Sequence, residues 1–323
     1  LNYGSFWQRL VRGVGWSWVD PGFQPVLPPD LDASVMTLDS QDRLHAKQGR
    51  STARVVFHAG EGGRDSRPLA VYLKRHYRLP WRSGLAALVD PAGRHSPGAA
   101  EWAHLERARA LGVPVPRVVA SGERIGPWTS LQSYLLVEEL AGCEELNVCL
   151  PALAGELRAD AFAALKRRLA AEMARVTALL HRACVFHKDF YLCHFFLDRT
   201  RLRGDPEDVR LVLIDFHRLG EHQLWPDRWR WKDLGQLLFS THGVAGIEDR
   251  DLLRFWKHYS RQLGLRNPRW QAQMVRLKAA RYLLHNRPPA RGGERSGTLE
   301  RPTPVDGQGF APVGAGRSAN SLG

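Results

Sequence analysis

The sequence predicts an α+β fold of two lobes, β-rich first and helical second, on three observations. Four apolar segments of strand length, with one helix between the second and third, lie between residues 53 and 140. Beyond that point the apolar positions step by three and four instead, the period of helices. The chain of 323 residues, 44% hydrophobic and 24% charged, has enough apolar material for one large core or two lobes with a cleft between them, and too much to be disordered.

Taken in order, residues 1–40 read as an N-terminal extension, 41–140 as the first lobe, 141–286 as the second and 287–323 as a disordered tail. Strands are predicted at ARVVFH (53–58), LAVYLKRHY (69–77), PRVVASGE (116–123) and SYLLVEEL (133–140). The helix between the second and third runs from about Gly98 to Leu111, with Trp102, Leu105, Ala108 and Leu111 on one face and Gly112 as its stop. In the second lobe, Asp160 is the expected N-cap of a long helix carrying Phe162, Leu165, Leu169, Met173, Val176 and Leu180. A short strand (210–217) and tryptophan-rich helices to about residue 285 follow. The tail is Gly-, Pro-, Ser- and Arg-rich and cannot repay the entropy of ordering.

The net charge is +13, and the tail from Arg287 holds five basic residues against three acidic ones, so the excess belongs to the folded body. That charge predicts anionic partners. Nucleic acid is not among those expected, because no recognised binding module accompanies the charge. Four cysteines show no CxxC pair and no zinc spacing, which suits free thiols in a reducing compartment. The amino-terminal apolar bulk is broken by Arg9 and Arg12, so it has no uninterrupted run of signal-peptide or membrane-spanning length. Two basic-aromatic stretches, FWQRLVRGVGWSW near the start and KRHYRLPWRSGLAALV (74–89), instead suit the interface of an anionic membrane. The alternative reading makes their tryptophans core residues and their arginines a solvated face.

The chemistry concentrates in HKDFYLCHFFLD (187–198). As an isolated turn, His-Lys-Asp would mean little. Here Asp189 follows a helix, Asp215 ends a short apolar strand 26 residues later, and Lys74 lies in a first-lobe strand with Glu101 on the next helix. Phosphoryl transfer from ATP needs these residue types: an ammonium for the phosphates, a carboxylate to orient it, a base for the acceptor hydroxyl and a carboxylate for Mg2+.

With VYLKRHYR (71–78), EWAHLERARALGVPVPRVVA (101–120), YLLVEEL (134–140), LIDFHRLG (213–220) and WKDLGQLL (231–238), the chain resembles the protein-kinase-like superfamily. Within it, the run HKDFYLCHF is most similar to the lipopolysaccharide kinase (Kdo/WaaP) family of inner-core sugar kinases. The resemblance implies a bilobal protein-kinase-like fold, ATP and Mg2+ as cofactors, and a sugar hydroxyl of lipopolysaccharide, an inner-core heptose, as acceptor at the inner face of the cytoplasmic membrane. A small-molecule or protein phosphotransferase of the same fold is the competing reading. A non-catalytic ATP-binding scaffold is disfavoured because Lys74, Asp189 and Asp215 are all present.

The resemblance also assigns roles. Asp189 is the expected base and Asp215 the expected metal ligand. Lys74 competes with Arg75 for the phosphates, and Glu101 with Glu106 as its partner; five helical residues turn the face by about 140°, so only one glutamate can serve. The family motif selects Glu101. His187 and Asp233 are expected to be structural, Asp233 as a buried anchor of the loop or else as an exposed helix carboxylate. His194 stands where protein kinases carry asparagine, and is either a metal contact or a packing or hydrogen-bonding residue, since imidazole is a less natural ligand than an amide oxygen for so hard a cation. His217, in DFH in place of DFG, lacks glycine's backbone freedom. Around the nucleotide, the basic turn of Lys47, Gly49 and Arg50 is expected over the phosphates, and backbone groups of Glu138 to Leu140 beside the adenine.

Overall fold

The computed structural model describes residues 6–38, 43–47, 49–58, 68–78, 81–90, 93–126, 130–205 and 208–285. The tail from residue 287 lies outside them, as does the side chain of Lys47. The first lobe contains α1 (Phe6–Arg12), β1 (Val14–Val19), α2 (Leu31–Thr37), β2 (Arg43–Lys47), β3 (Arg50–Phe57), β4 (Leu69–Arg78), α3 (Trp81–Val89), α4 (Pro97–Ala110), β5 (Val118–Ile125) and β6 (Ser130–Glu138). Its strands form one antiparallel sheet in the order β1-β5-β6-β4-β3-β2. Residues 14–19, expected within an N-terminal extension, therefore supply an edge strand of this sheet, Val14 opposite Ile125 and Val19 opposite Ala120.

Strand periodicity sorts the side chains of β4. Val71, Leu73 and Arg75 are buried on one face, where Val71 and Leu73 join Leu31 and Val35 of α2 in a core with Val55, Phe57 and Leu136. Tyr72, Lys74 and His76 point the other way. Arg75 is spent structurally, donating to Ser51 Oγ at 3.0 Å and to the carbonyls of Val35 and Leu38. This leaves Lys74 for the cleft.

The second lobe continues with β7 (Cys143–Glu145), α5 (Leu146–Glu156), α6 (Ala159–Arg182), β8 (Val185–Phe186), β9 (Phe195–Asp198), α7 (Arg199–Gly204), β10 (Leu211–Leu213), β11 (Gly220–Glu221), α8 (Pro226–Ser240), α9 (Asp249–Leu263) and α10 (Pro268–His285). Its short strands pair as β10-β9-β7 and β11-β8. Arg158, not Asp160, is the N-cap of α6, and Asp160 falls in the first turn, where its charge still favours the helix dipole. The strand expected over 210–217 stops at Leu213, because Asp215 adopts a left-handed backbone (φ 66°) that opens a tight turn over Phe216–Arg218.

One apolar core crosses between the lobes. Leu105 and Ala108 of α4 and Leu135 and Val137 of β6 pack with Leu150, Leu180, Phe190, Phe195, Leu213 and Phe216. A second helical core joins Ala174 and Ala178 of α6 to Leu234, Tyr259 and Val275. Between α6 and α9, the buried Lys166 ammonium donates to Asp251 Oδ2 at 2.7 Å and to Gly246 O at 2.9 Å.

Candidate active site

Helix α4 starts at Ser96, whose hydroxyl accepts from the Ala99 amide, with Pro97 in the first turn. One turn in, Glu101 is buried and accepts a 2.6 Å hydrogen bond from Lys74 Nζ. Glu106 pairs instead with Arg109, so the two glutamates face apart as the helical period requires. Burial alone would lower the Lys74 pKa; the Glu101 carboxylate, aided by Asp215, more than offsets it and the pKa is raised. Lys74 is thus held as a cation on the cleft face of β4.

The loop after β8 is tied down by a stripe on α8. Asp233, fully buried, accepts from the amides of His187 and Lys188 at 2.8 and 2.9 Å. Three and seven residues on, Gln236 accepts from the Phe190 amide and Ser240 from the Leu192 amide. Helical spacing puts all three on one face, and each satisfies a backbone donor that burial would otherwise strand. Asp233 is therefore the buried anchor and not an exposed carboxylate. Gln236 and Ser240 were legible in WKDLGQLLFS as partners at this spacing, but nothing in the sequence says that this helix meets the loop. His187 Nε2 donates to the Ile214 carbonyl at 2.9 Å, tying the loop to the strand that leads to Asp215. Burial lowers the His187 pKa, consistent with a neutral ring in a structural role.

These supports bring Asp189 and Asp215 together through His194 and His217. His194 Nδ1 lies 2.7 Å from the Asp189 carbonyl oxygen, which can only accept, so Nδ1 carries the hydrogen. In the neutral ring the lone pair is then on Nε2, 3.6 Å from Asp215 Oδ2. His217 Nδ1 meets Asp215 Oδ1 at 2.5 Å, and its Nε2 is 3.7 Å from Asp189 Oδ2. Burial would raise the Asp215 pKa, but His217, Lys74 and His194 hold it well below the ordinary carboxylate range. Asp215 raises that of His217 in return, against the effect of burial. Arg218 Nη1 donates to both oxygens of Asp189 at 2.9 and 3.3 Å, and His104 Nδ1 of α4 lies 2.8 Å from the Phe216 carbonyl. Arg218 and His104 were not anticipated, and His217 was read only as a departure; the HR pair at 217–218, one residue past Asp215, was the available signal.

A divalent cation fits this donor set. Asp215 supplies a carboxylate oxygen and His194 a lone pair facing it, an arrangement of two acceptors that a shared cation would reconcile. Among the described residues no group of three or more His, Cys, Asp or Glu side chains could hold a metal, so the remaining ligands would be phosphate oxygens and water.

At the other end of the cleft, Gly49 turns between β2 and β3 with φ +87°, and a Cβ there would meet the Arg78 side chain at 2.6 Å, so the position requires glycine. Arg50 is exposed beside it. At the lobe junction the amides of Glu138 and Glu139 already donate to the carbonyls of Arg117 and Ala70, and the Glu139 carboxylate takes a two-pronged pair from Arg54 at 2.7 and 2.8 Å. Among the amides of Glu138 to Leu140 the adenine expectation thus narrows to Leu140.

His76 shares the cleft face of β4 with Lys74 and was not anticipated. Burial lowers its pKa to about 4, with Glu101 opposing and Lys74, Arg50 and His217 assisting. A free imidazole titrates near 6.5, so the unfolded chain gains a proton where the folded one does not. The sign follows: stability is full above pH ~6.5 and falls as pH drops towards ~4, by roughly 2 kcal/mol at pH 5 from this residue. His104, His181 and His187, also lowered by burial, act in the same direction. We expect His76→Gln to flatten the dependence of melting temperature on pH between 4 and 6.5; an unaltered slope would reject the assignment.

Known proteins match the chain across both lobes. A model of the lipopolysaccharide kinase (Kdo/WaaP) family matches residues 91–259. The lipopolysaccharide core heptose(I) kinase WaaP of Pseudomonas aeruginosa is 37% identical over 233 residues, covering 69% of this chain and 81% of that protein. WaaP of Escherichia coli K12 is 31% identical over 167 residues, covering 49% and 58% respectively. Among solved structures, WaaP in complex with acyl carrier protein superposes with a TM-score of 0.61 at 28% identity, over 82% of this chain and 98% of that one.

Proposed function

The chain belongs to the lipopolysaccharide kinase (Kdo/WaaP) family, and from that premise we propose that it transfers the γ-phosphoryl group of ATP to a hydroxyl of an inner-core heptose of lipopolysaccharide. The observation that carries the reading is the convergence on one cleft of the Lys74–Glu101 pair, Asp215 with His194, and Asp189 on a loop tied down by α8. Lys74 holds the nucleotide phosphates, oriented by Glu101. Asp215, with His194, holds Mg2+, which when bound neutralises phosphate charge. Asp189 takes the proton of the acceptor hydroxyl, and the turn at Gly49 with Arg50 covers the phosphates, Lys47 adding charge. Leu140 receives the adenine.

A sugar hydroxyl is a poor nucleophile at neutral pH, so it must be placed within hydrogen-bond reach of Asp189. Binding energy from remote charges on an acidic glycolipid supplies that placement. The lipid-linked core should therefore show a kcat/KM far above that of free neutral heptose, and the gap should shrink at high salt. Equal values at low salt would reject the anionic-glycolipid acceptor and favour a small-molecule phosphotransferase.

A peripheral position on the inner face of the cytoplasmic membrane is part of the same proposal. Helices α1 and α3 touch, and Arg9 Nε donates to the Leu88 carbonyl at 2.9 Å. They leave Trp7 72%, Val11 72%, Trp81 62% and Val89 76% exposed beside the exposed Arg12 and Arg82. This joins two stretches singled out far apart in the sequence, with a correction: Lys74 and Arg75 face the cleft and the core, and Trp16 and Trp18 stack against Trp102 instead of facing solvent. Among the described residues no helix is long and apolar enough to cross a membrane. Liposome co-sedimentation should require anionic lipid and fall with salt, and Trp7→Ser with Trp81→Ser should abolish it; binding indifferent to lipid charge would sink the surface. The partner of the solved relative, acyl carrier protein, is proposed for this chain too, and co-purification tests it.

A further inference from the structure

Beside Asp189 opens a second cleft, of about 560 Å³, whose walls carry five cations: Lys188, Arg218, Arg228, Lys232 and Lys278. The rings of Trp229 and Tyr282 complete its lining, and among the described residues no carboxylate lines it. Arg218 alone of the five has an ion pair among the described residues, and its partner is Asp189.

The fold invests in this concentration of charge. Lys188 has a left-handed backbone (φ 69°), which a non-glycine residue adopts only at a cost. Its ammonium lies directly over Gly220. Trp229, stacked on His222 at 4.0 Å, has Lys188 Nζ, Arg228 Cζ and Lys232 Nζ at 5.1, 5.7 and 5.9 Å from its ring centroid. An aromatic face offsets part of the mutual repulsion of such cations. Lys232 also donates to the Lys188 carbonyl at 2.6 Å, which holds it half-buried against its like-charged neighbours. Crowded like charges are a cost that a bound anion would offset.

We propose that this cleft holds an anionic group of the acceptor glycan, a carboxylate or a phosphate, and so sets which hydroxyl reaches Asp189. The proposal rests on the kinase reading. Arg218 links the two events: its guanidinium offers five N–H donors in a planar fork, enough to keep Asp189 and a bound anion at once, so the anion and the base share one positioning residue.

Arg228→Gln and Lys278→Gln test this, since neither side chain touches Asp189. Each is assayed with lipopolysaccharide core, with the same core after phosphatase treatment, and with the core after reduction of its carboxyl groups. With untreated core the acceptor KM should rise about tenfold, the loss of one charge-assisted contact, while kcat and the KM for ATP stay within twofold. The gap between wild type and variant should close on whichever treated acceptor has lost the bound group, which identifies it as phosphate or carboxylate. An unchanged acceptor KM, or a gap that persists on both treated acceptors, overturns the proposal. Should no acceptor be phosphorylated, the kinase reading fails separately, and calorimetric titration of inorganic pyrophosphate into protein saturated with a non-hydrolysable ATP analogue and Mg2+ decides the cleft. Binding by wild type that both variants weaken upholds it; no binding, or equal binding by all three, overturns it.

Discussion

Asp189→Ala is expected to lower kcat by about 10²- to 10⁴-fold, the range for losing a general base, while Mg2+-dependent ATP binding persists. The asymmetry comes from where the two carboxylates lie. Asp189 hangs from a loop held by Asp233, Gln236 and Ser240, and its oxygens meet Arg218 and, at longer range, His217. Asp215 is the carboxylate within electrostatic reach of Lys74. Asp215→Ala should therefore weaken the metal-dependent part of ATP binding itself. Single-turnover phosphorylation alongside nucleotide titration in the two variants separates these effects. Full activity in the Asp189→Ala enzyme would remove the residue from the reaction.

Asp233→Ala is expected to have the largest effect on stability. It leaves the amides of His187 and Lys188 without their acceptor in a fully buried setting, and it removes the carboxylate that His181 Nε2 faces at 3.5 Å. Stranding two buried donors costs on the order of 3–5 kcal/mol, a fall in melting temperature of roughly 10 °C for a protein of this size. Asp233→Asn keeps one amide oxygen as acceptor and should recover part of the loss. Because the loop carries Asp189, kcat should fall in both variants even well below their melting temperatures. A melting temperature within two degrees of wild type in Asp233→Ala would show that the loop is held by other means.

Much of the architecture is written in local patterns. The period-two run of β4 already separates Lys74 from Arg75, since neighbours on a strand point to opposite faces. The same argument on a helix separates Glu101 from Glu106. Local patterns failed where a neighbour elsewhere in the chain decides the outcome. The run VGWSWV was read as part of an extension because an edge strand's partner lies more than a hundred residues away, and its two tryptophans pack on Trp102 of α4. Asp215 ends the strand early because its left-handed backbone, with His104 of α4 close to the next carbonyl, is a tertiary arrangement that RLVLIDFH does not encode in its periodicity.

Legible in the chain were the two-lobed order of strands and helices, the family resemblance and, through it, the candidate site residues Lys74, Glu101, Asp189 and Asp215, with His194 and Asp233. The order of elements follows from residue spacing and type, which are properties of short stretches, and the site residues follow from the resemblance those stretches carry. How these residues act on one another depends on contacts between distant parts of the chain. The fully buried Asp233 accepts two amides from a loop 45 residues before it; the hydrogen on His194 Nδ1 follows from a single carbonyl contact; and Arg218 is joined to Asp189 across 29 residues. Five cations from four separate segments line one cleft beside that aspartate. Hydrogen bonds and charge coupling depend on distances of a few ångströms and on burial, and packing sets both.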